Sequence, residues 1–136
     1  MHGLGLNSES FEPQLHELSD EFNVVAWNMP ILGTTSSKAM NFNNLANSGF
    51  QLLDSLDIKS CHVVGHSMGG MIALEMALIN PNRIKSISLL GATSAFGGKD
   101  DTFKNSFLSS RLRPLSEGHT MKEVAQYNVP LMFSED

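Results

Sequence analysis

The sequence predicts an α/β fold in which parallel strands alternate with crossover helices. Short runs rich in apolar and β-branched residues at Asn23–Trp27, Cys61–Gly65 and Ile84–Leu90 indicate strands. Longer segments with helical spacing of apolar residues lie between them, and this alternation is typical of a parallel sheet with helices on both faces. A third observation is a serine flanked by glycines at one junction of strand and helix, which bears on function as well as on fold.

Helical spacing predicts five helices, and two prolines help to fix their limits. Pro13 is compatible only with the first turn of a helix, because a proline further inside would remove a hydrogen bond and clash with the preceding turn. Pro81 ends the apolar helix that precedes it. The predicted ranges are Ser8–Leu18, Asn41–Leu56, Met68–Asn80, Phe103–Leu112 and Met121–Tyr127.

Composition and charge exclude several classes of protein. With 136 residues, of which 41% are hydrophobic and 17% charged, the chain is at most one domain. Its net charge of −5 and its lack of a Lys/Arg cluster argue against nucleic acid or membrane partners. Met1–Phe11 does not resemble a signal peptide, and no stretch is apolar enough to span a bilayer. We therefore expect a cytoplasmic protein whose single cysteine, Cys61, is a buried apolar residue.

The segment Gly65-His66-Ser67-Met68-Gly69 lies where the second predicted strand meets the apolar helix. A Gly-x-Ser-x-Gly motif in this position forms a nucleophile elbow, a tight turn that exposes the serine hydroxyl at the carboxyl edge of a sheet. Gly65 and Gly69 leave room where side chains would collide with the neighbouring strand or helix. The Met68 N–H lies at a helix N-terminus, where it favours a developing oxyanion. Ser67 is the predicted nucleophile.

The histidines of the chain do not have the spacing of metal ligands. None is paired with a second His, Cys or carboxylate at a ligand interval, so we expect no metal. We also expect no other cofactor, because acyl chemistry at a serine needs only side chains and backbone dipoles. His66 is adjacent to Ser67 in sequence, and its side chain is expected to diverge from the hydroxyl and to pack. Met71 and Met76 are expected to lie in the core.

Three matches make the chain resemble the α/β-hydrolase family: His2-Gly3 before a helix, Gly65 to Gly70 at the elbow, and Pro81-Asn82-Arg83-Ile84 before a strand. The resemblance implies a serine hydrolase with an oxyanion hole formed by the backbone N–H groups of Leu4 and Met68. It also implies that His2 holds the loop beneath that hole. The substrate implied is a small-molecule carboxylic ester or lactone.

A later region is similar to the start of a helical cap. Phe107 to Leu115, followed by Gly118-His119-Thr120-Met121, is similar to the cap opening of 3-oxoadipate enol-lactonase-like members. We therefore expect a partial hydrolase core over residues 1–98 and the start of a cap over residues 99–136.

The chain departs from the family pattern in one loop and in its extent. The family's usual Asp-x-Pro-Gly is replaced by Asn28-Met29-Pro30-Ile31, which removes a charge and places a β-branched residue where a positive φ would be costly. In the family the order is Ser, then acid, then His, and the acid and histidine follow later strands. They are not present in this chain, and we interpret it as an internal piece of a longer hydrolase.

Two alternatives stay open at this point. Asp100 or Asp101 followed by His119 satisfies the family's order of acid and histidine, although Thr120 and Glu123 predict a capping box directly after that histidine. The second alternative is that the chain is a catalytically inactive fragment or a remnant that binds small molecules. Thioesterases and C–C bond hydrolases also have this elbow, so the motif does not separate them from ester and lactone hydrolases.

Overall fold

Strands and helices alternate along the chain as predicted, with one exception. A computed structural model describes residues 1–30, 41–95 and 101–132, which fall into two units, Met1–Ser94 and Ala95–Asp136. The elements in chain order are α1 (Glu12–Leu18), α2 (Phe42–Ser55), β1 (Cys61–His66), α3 (Met68–Ile79), β2 (Ile84–Leu90), α4 (Asp101–Ser116) and α5 (Met121–Asn128), with 3₁₀ turns at Ser8–Phe11, Pro81–Arg83 and Val129–Met132.

The two strands form a parallel pair joined by the crossover helix α3. In the register of this pair, His62 lies opposite Ser86 and His66 lies opposite Leu90, with an irregularity between Cys61 and His62. The carboxyl ends of β1 and β2 therefore meet at the same edge of the sheet. This edge is where α3 begins, so the junction of β1 and α3 lies beside the end of β2.

The predicted strand Asn23–Trp27 is wrong. Within the described residues, this segment has no backbone hydrogen bonds to a neighbouring strand. Its composition favours extended backbone, but a strand also requires a hydrogen-bonded partner, and none lies beside it in the part of the chain that the structure describes. The segment still contributes packing, since Trp27 contacts the hydrophobic core.

The helix ends follow their local chemistry, and α4 is longer than predicted. The Asn41 side chain caps α2 by accepting a hydrogen bond from the Asn44 N–H at 2.8 Å. Helix α4 runs past Leu112 to Ser116 and contains Pro114. The chain leaves this helix at Gly118, whose φ of 94° is readily adopted only by glycine.

Helices α2 and α3 share a hydrophobic core that includes one residue of the loop after Trp27. Ile72 is fully buried on α3 and packs with Met76. The predicted core position of Met76 is therefore confirmed. Met71 is only half-buried. The remaining buried members of this core are Met29, Leu45, Ala46, Phe50 and Leu53. This packing holds α3, and so the turn at its first residue, against the rest of the unit.

Arg83 connects the end of α2 to the start of β2. Its Nη2 donates to Asp54 Oδ1 at 2.7 Å and to the Ile58 carbonyl at 2.9 Å, and its guanidinium lies 5.7 Å from the Phe50 ring centroid. These contacts tie the sheet to the same core that positions α3.

In the described ranges, no helix has the combination of length and apolar character needed to cross a membrane.

Candidate active site

Ser67 forms a strained turn between β1 and α3. Its backbone has φ 51° and ψ −119°, a conformation that costs a non-glycine residue about 1–3 kcal/mol. The Ser67 N–H donates to the Leu90 carbonyl at 2.8 Å, and the Ser67 carbonyl accepts from the Gly70 N–H at 3.0 Å. Because β2 holds one side of the residue and α3 the other, the surrounding structure maintains the strained backbone.

Three glycines allow the first turn of α3 to lie against the strand and the chain start. A Cβ on Gly65 would lie 2.5 Å from Gly70 Cα, and one on Gly69 would overlap the Met1 carbonyl and lie 2.6 Å from the His2 carbonyl oxygen. A Cβ on Gly70 would overlap Ala92 Cβ. The sequence motif explained Gly65 and Gly69; the steric need for Gly70 becomes visible only when β2 and the residues after it are in place.

Gly3 lies directly beside the serine. A Cβ on Gly3 would be 3.2 Å from Ser67 Cβ and 3.0 Å from His66 Nδ1, which is tighter than ordinary van der Waals contact. The His66 ring therefore lies next to Gly3. Among the hydrogen bonds of the described residues, none joins that ring to the Ser67 hydroxyl.

Residues 3–6 form a turn that does not use the Leu4 N–H as a donor. The Leu6 N–H donates to the Gly3 carbonyl at 3.3 Å, and Gly5 has a φ of 78°, as expected for the third position of a type II turn. The Leu4 N–H at the second position has no acceptor among the described residues. The Met68 N–H, at the first position of α3, likewise has none in the described part of the chain.

His2 is buried and connects this turn to the loop after Trp27. Its Nδ1 lies 2.9 Å from the Gly3 carbonyl oxygen, and its Nε2 accepts a hydrogen bond from the Met29 N–H at 3.2 Å. Both contacts are satisfied together only by the neutral tautomer with the proton on Nδ1. These bonds agree with the predicted structural role of His2.

Met1 lies along the edge of β1 that faces away from β2. Its amino group donates to the Val64 carbonyl at 2.6 Å, and its carbonyl accepts from the His66 N–H at 3.0 Å. Burial lowers the pKa of the Met1 amino group to about 6. The strand edge nearest the elbow is thus hydrogen-bonded to the residue that leads into His2 and Gly3.

A Ser-His-acid triad is not assembled within the first unit. In residues 1–30 and 41–94, no histidine or carboxylate is hydrogen-bonded to Ser67. His62 Nδ1 instead lies 2.7 Å from Ser86 Oγ, at an exposed position of the sheet.

Two of the three residues considered as an internal acid and histidine, Asp101 and His119, lie in the described part of the second unit. His119 Nδ1 lies 3.9 Å from Glu123 Oε2, and Asp101 pairs with Lys104 at 3.8 Å. The predicted capping box of Thr120 and Glu123 is present. Asp100 and the predicted strain at Ile31 lie outside the described residues.

The described ranges contain no cluster of three or more His, Cys, Asp or Glu side chains that could hold a metal ion. Burial raises the pKa of the Cys61 thiol, and its half-buried position fits a packing residue more closely than a reactive thiolate.

Comparison with known proteins identifies the family to which the chain belongs. The family model described as "alpha/beta hydrolase fold" matches residues 1–133, and the chain belongs to that family. It is 30% identical over 115 residues to the dihydrolipoyllysine-residue acetyltransferase component of the acetoin cleaving system of Cupriavidus necator, covering 83% of this chain and 31% of the relative. It is 33% identical over 98 residues to the putative carbamate hydrolase RutD of Stutzerimonas stutzeri, covering 68% and 36%.

Solved structures show the same fold. A hydrolase from Pseudomonas aeruginosa matches 92% of this chain and 46% of its own, with a TM-score of 0.75 and 22% identity. A structure from a study of carboxylesterases of Nitrososphaera gargenis matches 100% and 49%, with a TM-score of 0.74 and 19% identity. The chain thus spans about a third of these curated relatives and about half of these solved structures.

Gly65→Ala should destabilise the first unit by more than about 3 kcal/mol, because the new methyl group would overlap backbone atoms that cannot move independently. Gly91→Ala is the matched control: φ is 54° but the space around it is open, so a loss of about 1–2 kcal/mol is expected. Urea unfolding compares the two variants. Equal losses would contradict the close approach of α3 to β1.

Ser67→Gly should be at least as stable as Ser67→Ala, with an advantage of up to about 2.5 kcal/mol. Glycine removes about 1–3 kcal/mol of backbone strain, and its greater freedom in the unfolded chain offsets about 0.5–1 kcal/mol of that gain. Both variants lack the hydroxyl, so the comparison isolates the backbone. Unfolding free energies in urea measure the difference, and a less stable glycine variant would show that Ser67 is not strained.

The free energy of unfolding of the 136-residue chain should rise with pH between about 6 and 8. The Met1 amino group loses its proton at about pH 6 in the folded chain and near its usual value of 8.0 when unfolded. The unfolded chain therefore binds more protons in this range, and stability is lost as the pH falls. Urea titrations beside an N-acetylated chain isolate this group; identical pH profiles would rule it out.

Proposed function

We propose that this chain carries the nucleophile and oxyanion-binding elements of a serine hydrolase that acts on a carboxylic ester or lactone. The observation that supports this most directly is the backbone of Ser67, which is strained at a strand–helix junction with the unpaired Met68 N–H next to it. Strain of this kind persists where function requires an exposed nucleophile. The fold family, in which relatives are named as hydrolases, supports the same reaction type.

In the proposed reaction the Ser67 Oγ attacks the substrate carbonyl carbon as its proton passes to a histidine. The Leu4 and Met68 N–H groups stabilise the negative charge that develops on the carbonyl oxygen. The alcohol leaves with a proton from that histidine, and water then hydrolyses the acyl-serine by the reverse sequence of proton transfers. We propose that the histidine and its acid come from sequence outside these 136 residues.

The substrate class is open to further candidates. Several relatives are named putative carbamate hydrolases, and a carbamate presents the same type of carbonyl carbon to a serine. Thioesters and C–C bonds next to a carbonyl are further substrates for the same elbow, and the enol-lactonase-like cap favours a lactone. We also propose that the protein is cytoplasmic. We propose no cofactor, because acyl transfer needs only side chains and backbone dipoles.

The experiment compares this chain with the product of the complete reading frame in which it lies. Both are treated with a fluorophosphonate and assayed with p-nitrophenyl esters, a lactone, a carbamate and a thioester. The complete product should be labelled and active, and Ser67→Ala should lower kcat by about 10⁴–10⁶-fold. The 136-residue chain should show very low turnover, because without a base the Ser67 hydroxyl is a weak nucleophile.

Two controls make this result specific. Ser86→Ala removes a serine hydroxyl that lies 2.7 Å from the Nδ1 atom of His62, and it should leave labelling unchanged. A chelator should not alter activity. Equal, Ser67-dependent turnover in both proteins would contradict an external triad and favour Asp100 or Asp101 with His119. No labelling of Ser67 in either protein would favour an inactive or ligand-binding chain.

A further inference from the structure

The loop that presents the Leu4 N–H is bonded at both ends to one short segment, Asn28–Met29. At its first end, the Met29 N–H donates to His2 Nε2 at 3.2 Å. At its second end, the Ser8 N–H donates to Asn28 Oδ1 at 2.7 Å. The Met29 side chain is 5% exposed and belongs to the hydrophobic core, so this segment is itself anchored.

Between those two bonds, little else holds the loop in position. The Leu4 side chain is 65% exposed, so packing does not fix it. The turn bond from Leu6 to Gly3 sets the shape of the loop but not its placement relative to Ser67. At the first end, the contact of Gly3 with Ser67 and the bonds of His2 locate the chain. At the second end, among the side-chain hydrogen bonds of the described residues, the bond to Asn28 is the one that reaches outside the loop and the helical turn after it.

We propose that Asn28 is a positioning residue for the oxyanion hole. Its side-chain oxygen fixes where the loop meets the helical turn at Ser8, and it thereby sets the position of the Leu4 N–H beside Ser67. This inference rests on the proposed function. The role requires a hydrogen-bond acceptor of this length and not a charge, so the neutral amide here and a carboxylate at the same position serve equally.

Two substitutions remove this hydrogen bond from opposite sides. Asn28→Ala removes the acceptor. Ser8→Pro removes the donor at a position suited to proline, because Ser8 is the first residue of a helical turn and Asn7 before it is extended, with φ −140° and ψ −173°. Asn28→Asp keeps an acceptor oxygen. Asn47→Ala is the matched control, since it removes an exposed asparagine whose hydrogen bonds remain within α2.

In the complete reading-frame product, Asn28→Ala and Ser8→Pro should each lower kcat about tenfold with KM changed by less than about threefold. Complete loss of one oxyanion donor lowers kcat by about 10²–10³-fold, and a displaced donor loses part of that effect. The double variant should lose no more than either single one, because both remove the same bond. Asn28→Asp and Asn47→Ala should stay within about twofold of the parent protein.

A second readout does not depend on activity. In nuclear magnetic resonance spectra of the 136-residue chain, Asn28→Ala and Ser8→Pro should shift the Leu4 amide resonance and increase its exchange with solvent, while Asn47→Ala should not. If Asn28→Ala does not fold, Ser8→Pro provides the same test. An unchanged Leu4 amide in a folded variant overturns the inference, and so does an Asn28→Asp protein that behaves like Asn28→Ala. Absence of Ser67-dependent turnover in the complete product would overturn the proposed function, whereas the Leu4 amide resonance tests the role of Asn28 independently of activity.

Discussion

The close approach of α3 to β1 is the constraint on which the rest of the site depends. Gly65 and Gly70 come so near each other that any side chain on the strand residue would overlap backbone atoms. Gly69 does the same against the Met1–His2 segment. Because all three positions lack side chains, the helix can begin immediately after the strand. The sharp turn at Ser67 and the free N–H at Met68 both follow from that beginning.

The stability of the core maintains this strained arrangement. Packing between α2 and α3, together with Arg83 at the start of β2, fixes both elements that hydrogen-bond to Ser67. A strain of about 1–3 kcal/mol is then small beside the burial of several large apolar side chains, each of which contributes about 1.5–3 kcal/mol. The strained serine is thus a local feature that the packing around it can support.

Local features were predictable from the sequence, and features that join distant segments were less so. The strand Ile84–Leu90 and the elbow have their signals within a few consecutive residues, and the structure places both as predicted. Asn23–Trp27 has the composition of a strand but no partner in the described ranges, which composition cannot indicate. Helix α4 continues through Pro114 to Ser116, beyond its predicted end at Leu112. The bond between Asn28 and Ser8 spans 20 residues, and sequence reasoning marked Asn28 only as a departure from the family pattern.

A crystal structure of the complete reading-frame product after reaction with a phosphonate ester tests the central claim most directly. The claim is that Ser67 is the nucleophile and that Leu4 and Met68 supply the oxyanion donors. The predicted result is a covalent bond from phosphorus to Ser67 Oγ, with the phosphonyl oxygen about 2.7–3.1 Å from both backbone nitrogens. A phosphonate on another residue, or a phosphonyl oxygen directed away from these two amides, would contradict it.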